Sequence, residues 1–350
     1  MKNKNVTIYD IAEKTNFSAV TVHRALNNKG RISDSTKNLI LKTAKELGYK
    51  ANPAAQGLRR NTIKIGAILF CPVDEYVNSI IEGIEFSASE LEKFNVSVKV
   101  KKIPFSTSGE CLKQTCAEID KFIDKNYNGI ILFVSSAVEE LTEMRVKIEH
   151  AKEKGIAIGT VANDALDGQA VLHVGIDARK VGSMAAEMLE FTCKNKEIAI
   201  LSPGITTPIS HGYLEGFSQY ASDSTFAKIH IFEHFDNKNL IKKSIDNMLT
   251  NFPNVSGVYI SSAISTFACQ YIEKANRRDL TVITTDILTE TSELLKRKTA
   301  SATLFQNPFK QGREAITHLY NYITAGTDKG KHLITPQIIL SSNVDSYLWE

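Results

Sequence analysis

An α/β body preceded by a small all-helical head is the fold class that the sequence predicts, and three observations predict it. Residues 7–48 place apolar side chains at helical spacing between good capping residues. From Ile63 onward, short apolar runs alternate with amphipathic stretches of helix length, which calls for parallel sheets covered on both faces. That alternation runs through twice in succession, so the body is expected to form two doubly wound lobes with a cleft at the carboxyl ends of their strands.

The first helix starts at Thr7, where Asp10 completes a capping-box-like pair, and Ile8, Ile11 and Ala12 share one face. Asn16 stands where the chain must reverse, because Asn tolerates a left-handed backbone better than most residues. Ser18 is a good N-cap for a second helix running to about Asn27. In that helix Val22, Ala25 and Leu26 face inward, while Ala19, Val20, Thr21, His23 and Arg24 face out. Such a helix can rest on its partner and enter a major groove. A third helix opens at Ser33, buries Leu39, Ile40, Ala44 and Leu47, and stops before Gly48. The segment 49–62, with Pro53 and Gly57, has little to bury, and reads as a hinge.

In the body the predicted strands are 63–70, 96–100, 129–134, 156–161, 171–176, 198–202, 228–235, 255–260 and 280–286, with a last one at 332–340. The predicted helices are 78–94, 109–126, 138–153, 178–193, 210–221, 238–250 and 264–275. The domain limits expected are a helix-turn-helix head at 1–48, a hinge at 49–62 and an effector-binding body at 63–350. Within the body, lobe one takes about 63–162 and 289–323, and lobe two about 163–288 and 324–345.

Charge separates head from body. Residues 1–62 carry 12 Lys/Arg against 4 Asp/Glu, whereas the remainder carries 30 against 35, so an overall +3 hides a compact cationic module suited to phosphates. No apolar run approaches the roughly 20 residues of a membrane span, and MKNKN leads into a polar helix rather than a signal-peptide core, so a cytoplasmic location is expected. The five cysteines are scattered without a CxxC, which speaks against disulfides and zinc. His230 and His234 share a predicted strand face but lack a third metal ligand, and read as a solvated pair. GxGxxG, the P-loop, HExxH and the nucleophile elbow are absent, so neither a cofactor nor an enzymatic activity is expected.

In order and spacing, TIYDIA, SxxTVxRALN and NPAAxxLR resemble the signature of the LacI/GalR family of bacterial transcription regulators. HVGIDARKVG at 173–182, Leu214-Glu215-Gly216-Phe217, Asp286, and Phe305-Gln306-Asn307-Pro308 with Gly312 extend the likeness over nearly the whole chain. The resemblance implies a periplasmic-binding-protein-like body with two lobes. It implies DNA contacts from Thr7, Ser18, Ala19, Val20, Thr21, His23, Arg24 and Asn27, with Arg24 reaching a base, typically guanine. Ala19 and Val20 would meet thymine methyls, and His23 stands where the family usually has Ser. Leu58 matches the hinge leucine that wedges into the minor groove, which requires two chains and hence a homodimer on a pseudo-palindromic operator.

The same resemblance implies an effector pocket formed by Phe70, Tyr76, Ser135, Ser136, Asn163, Asp164, Tyr213, Ser262, Asp286 and Gln306. Aromatic faces with carboxylates and amides suit a sugar or sugar derivative. Two positions depart from the family: Tyr213 replaces a clamping Arg, and Ser262 replaces an Asn. The expected function is a DNA-binding repressor whose operator affinity is switched by that effector. The alternative is a sugar-binding sensory or solute-binding protein without a DNA role, which would leave the head unused. No C-terminal leucine heptad follows the last strand, so a dimer is expected rather than a coiled-coil tetramer.

Overall fold

The computed structural model describes residues 6–26, 32–49, 61–135, 138–166, 168–193, 197–205, 207–262 and 264–347. The chain divides into two compact units, Met1–Asn61 and Thr62–Glu350.

The head consists of α1 (Ile8–Thr15), α2 (Ala19–Leu26) and α3 (Asp34–Glu46). Thr7 caps α1 reciprocally: its backbone N–H donates to Asp10 Oδ2 at 2.7 Å, and the Asp10 N–H donates to Thr7 Oγ1 at 3.4 Å. Asn16 takes the left-handed conformation, φ 57°, that turns the chain into α2. Ser18 Oγ then accepts from the Thr21 N–H at 3.1 Å and starts that helix. Ile11, Val22, Ala25, Ile40 and Ala44 close a small core. Gly48, at φ 69°, ends α3, and the Tyr49 N–H reaches back to the Ala44 carbonyl at 2.9 Å. Leu39 differs from the expectation: it is 48% exposed, and Thr43 takes the buried place on α3. The buried stripe runs through residues 40, 43, 44 and 47 at i, i+3, i+4 and i+7, and residue 39 lies outside it.

In the body, β1 (Ile63–Phe70), β2 (Val96–Lys102), β3 (Gly129–Val134), β4 (Ala157–Val161), β5 (Leu172–Ile176) and β11 (Gly330–Ile334) form one parallel sheet, ordered β11-β5-β4-β3-β1-β2. A second sheet repeats the order with β6 (Glu197–Ser202), β7 (Lys228–Glu233), β8 (Gly257–Ile260), β9 (Thr281–Thr285), β10 (Ala302–Phe305) and β12 (Gln337–Ile339), as β12-β10-β9-β8-β6-β7. All described pairings are parallel except β10 with β12. Strand alternation divides the core by face. Ile65, Ala67 and Leu69 of β1 enter one apolar layer, whereas Ile68 and Phe70 enter the layer beneath α5 (Ser108–Asp124).

The lobe limits differ from those expected. Strand β5 lies in the first sheet beside β4, and β10 lies in the second. The chain therefore changes lobe after β5, after β10, and between β11 and β12. Hydrophobic periodicity marks a strand but carries no information on which sheet accepts its hydrogen bonds. The run 332–340 is likewise two strands in different sheets, broken at Pro336, which cannot donate to a ladder. Three further elements escaped the pattern reading: α11 (Thr289–Lys296), β10 and α12 (Pro308–Ala325). No described helix is long and apolar enough to cross a membrane.

Two helix pairs pack equivalently on the two sheets: α4 (Asp74–Glu92) against α12, and α7 (Ala178–Thr192) against α8 (Pro208–Ala221). Each crossing needs glycine from both helices. A Cβ at Gly83 would overlap the Phe309 carbonyl and one at Gly312 the Ile80 carbonyl; Gly182 and Gly216 meet Tyr213 and Arg179 backbone in the same way. Gly312→Ala is expected to destabilise the body by about 1–3 kcal/mol, as overpacking against rigid backbone does. Thermal unfolding checks this, and an unchanged melting temperature would contradict the close crossing.

Candidate functional site

The carboxyl ends of both sheets open on a cavity of about 150 Å³ within the body. A single water needs only about 10–15 Å³, so the space admits a small organic molecule. Its wall is built from the residues that directly follow the strands: Ser135 after β3, Asn163 after β4, Ser261 and Ser262 after β8, Asp286 after β9 and Gln306 after β10. Tyr76 from the first turn of α4 and Tyr213 from α8 add aromatic surface. Tyr76 meets Phe133 at a ring separation of 5.9 Å. The Thr289 N–H at the start of α11 donates to Glu75 Oε2 at 3.0 Å, which joins the two lobes.

Asp286 is the centre of the polar network. Its backbone is held at φ 65°. Its carboxylate accepts from the Gln306 N–H at 3.3 Å and from Gln306 Nε2 at 2.6 Å. Gln311 Nε2 in turn donates to the Gln306 carbonyl at 2.9 Å and to Tyr76 Oη at 3.3 Å. Burial pushes the Asp286 pKa from 3.8 up to about 7, against the two bonds from Gln306 that lower it. Burial and the Asp286 charge together push the Tyr76 and Tyr213 hydroxyls well above their ordinary value, so both stay protonated. Burial likewise raises the Cys71 thiol to about 12, which keeps it an inert part of the wall.

The raised carboxylate has a pH signature. Folding retains a proton on Asp286 that the unfolded chain has already released, so this contribution to stability is full below pH 3.8 and is lost as pH rises through about 7. Asp286→Asn removes the ionisation, with Gln306 free to turn its amide over. Relative to the unsubstituted protein, its melting temperature is expected to rise progressively between about pH 4 and pH 7 and then to level off. Parallel melting profiles would show that Asp286 titrates normally.

Seven of the ten expected pocket residues lie in this wall: Tyr76, Ser135, Asn163, Tyr213, Ser262, Asp286 and Gln306. Phe70 does not. It is fully buried beneath α5, and Cys71, one residue on and on the opposite face, lines the cavity instead. Asp164 turns away to pair with Lys331 Nζ of β11 at 2.9 Å, leaving Asn163 as the lining residue. Ser136 lies outside the described residues. The sequence reading missed Asp236, which lines the cavity after β7 and accepts from Ser262 Oγ at 2.6 Å. It also missed Cys71, Phe133 and Thr207. Taking the one to three residues after every predicted strand would have found Asp236.

His230 and His234 are not a solvated pair. His230 Nε2 meets Glu197 at 2.8 Å, and His234 lies buried beyond the end of β7. Among the described residues, no group of three or more potential ligands could hold a metal ion.

On the head, α2 buries Val22 and Ala25, leaves Val20 and Arg24 exposed, and keeps Ala19, Thr21 and His23 half-buried. Thr7 and Ser18 serve as the caps of α1 and α2. Asn27 and Leu58 lie outside the described residues.

The described residues thus combine a helix-turn-helix head with a two-lobe body that holds a cavity of ligand size between its sheets. Residues 7–52 match the family described as bacterial regulatory proteins, lacI family, and residues 65–328 match the periplasmic binding protein domain. The chain belongs to the periplasmic binding protein domain family, and it carries in addition a head that matches the lacI family over residues 7–52. It is 26% identical over 222 residues to Catabolite control protein A of Priestia megaterium, a match that covers 63% of this chain and 62% of that protein. It is 24% identical over 347 residues to the HTH-type transcriptional regulator pepR1 of Lactobacillus delbrueckii subsp. lactis, covering 96% of both. Among solved structures, the glucose-galactose binding protein GanP from Geobacillus stearothermophilus superposes with a TM-score of 0.71 at 21% identity, over 81% of this chain and 99% of that one.

Proposed function

We propose that the protein is a cytoplasmic transcriptional repressor that binds a pseudo-palindromic operator as a homodimer and is switched by a small carbohydrate or carbohydrate derivative. The observation that carries this reading is the pairing of an α2 that exposes Val20 and Arg24 with a cavity walled by carboxylate, amide, hydroxyl and aromatic groups. The first set suits a major groove, the second a polyol. Arg24, Val20 and Ala19 are assigned to base edges, and Thr7, Ser18, Thr21, His23 and Asn27 to the backbone. Leu58 is assigned to the minor-groove wedge at the dyad.

Asp286, Gln306, Asn163, Tyr213, Tyr76, Ser135 and Ser262 are assigned to the effector. The relatives above carry the names of a control protein and a regulator, which supports a regulatory reading. The switch is linkage: effector bound between the lobes favours one lobe arrangement, and operator affinity shifts by the coupling free energy. A gel-shift screen of genomic fragments against the full chain, repeated across a monosaccharide panel, tests the proposal. A retarded fragment released or tightened by a sugar supports it. Saturable sugar binding with no retarded fragment would favour the solute-binding alternative. Sedimentation equilibrium tests the dimer.

A further inference from the structure

The charge and hydrogen-bond polarity of the cavity wall are one-sided. Two carboxylates line it, Asp286 in the interior and Asp236 at the exposed rim, and both act electrostatically on Cys71. No Lys, Arg or His side chain is among the lining residues. The positions outside the described residues that are nearest in sequence to lining ones, 136, 206 and 263, are Ser, Thr and Ala, so they bring no cation. His234, whose Nδ1 accepts from the Asp236 N–H at 3.2 Å, is buried behind the wall, and burial lowers its pKa.

The amides sharpen the bias. Asn163 commits its NH2 to the Val134 carbonyl at 3.0 Å, and Gln306 commits its own to Asp286 at 2.6 Å. The Val134 carbonyl can only accept, which settles which way the Asn163 amide faces; the ionised form of Asp286 does the same for Gln306. What remains is Asn163 Oδ1 and Gln306 Oε1, both without a hydrogen-bond partner on residues only 5% exposed. Ser261 Oγ, on a residue 3% exposed, is also unpartnered.

We propose that the effector is an amine-bearing polyol of the amino-sugar class, bound as its ammonium cation. This deepens the carbohydrate reading above and rests on it. An ammonium has three donors and no acceptor, matching a wall that offers the Asp286 and Asp236 carboxylates and no cation. The faces of Tyr76, Phe133 and Tyr213 supply the cation–π attraction and apolar contact that such a cation and its ring carbons take. The same wall rejects carboxylated and phosphorylated sugars, because it offers an anion two carboxylates and no cationic partner.

Isothermal titration of the full chain with matched sets decides the matter: D-glucose, D-galactose and D-mannose, their 2-amino-2-deoxy counterparts, and their 6-phosphates. At least one amino sugar is expected to bind about tenfold or more tightly than its neutral counterpart, as charge-assisted hydrogen bonds imply. The 6-phosphates are expected not to bind. Asp286→Asn and, separately, Asp236→Asn should each reduce the amino-to-neutral ratio, the first to near one, with thermal melting confirming the fold. A neutral sugar binding as well as its amino counterpart overturns this inference and leaves the carbohydrate reading standing. Tight binding of a 6-phosphate overturns it too. No binding by any member of the panel overturns both.

Discussion

Arg24→Ala is expected to weaken operator binding by roughly tenfold to a hundredfold at fixed salt, the about 1–3 kcal/mol that a bidentate arginine contributes against the wrong base. The reason is geometric. Val22 and Ala25 anchor α2 in the head core, so Arg24, between them in sequence and exposed, is presented outward by a fixed helix rather than by a loose loop. Affinity for non-cognate DNA should change far less than affinity for the operator. The slope of log affinity against log salt separates the two roles of an arginine: a base contact leaves it nearly unchanged, whereas a lost phosphate contact lowers it by about 1. Equal loss on all sequences together with a shallower slope would reassign Arg24 to the backbone. Head stability should be unaffected, since the side chain is not part of the core cluster.

Asp286→Ala is expected to collapse the effector response. In the intact protein the effector should change operator affinity by about 5–150-fold, the usual range of coupling free energies. In the variant the ratio of operator affinities with and without effector should fall below about twofold, because the carboxylate that organises Gln306, and through it the Tyr76–Gln311 network, is gone. Fluorescence anisotropy with labelled operator, titrated with effector at saturating concentration for the intact protein, measures this directly. A variant that still responds in full would show that the switch is read elsewhere in the cleft. The pH profile gives an independent handle. If bound effector donates to the Asp286 carboxylate, binding releases the proton held below about pH 7, and calorimetry in buffers of different ionisation enthalpy detects it.

The head and the alternation of the body were legible in the sequence because their determinants are local. Thr7 with Asp10, Asn16, Ser18, Ser33 and Gly48 each act within one helical turn of their own position, and the structure places each at the cap or turn it implied. The strands before position 290 were visible as short apolar runs for the same reason. Motif likeness then identified the ends of strands, which is where Ser135, Asn163, Ser262, Asp286 and Gln306 stand.

What only the tertiary structure decided is of three kinds. The sheet to which β5, β10, β11 and β12 belong depends on hydrogen bonds to strands far away in the chain, which no local period encodes. Whether Phe70 or Cys71 faces the cavity depends on a one-residue parity that flips a side chain across the sheet, whereas the turn after β4, with Ala162 at φ 63°, puts Asn163 in the wall and Asp164 against Lys331. The role of Asp236, missed in the sequence, arises only because β7 sits beside β6 and brings it to Ser262. Caps and periods report a residue's own few neighbours, whereas a cavity's charge is the sum over loops from two sheets that meet only when the chain has folded.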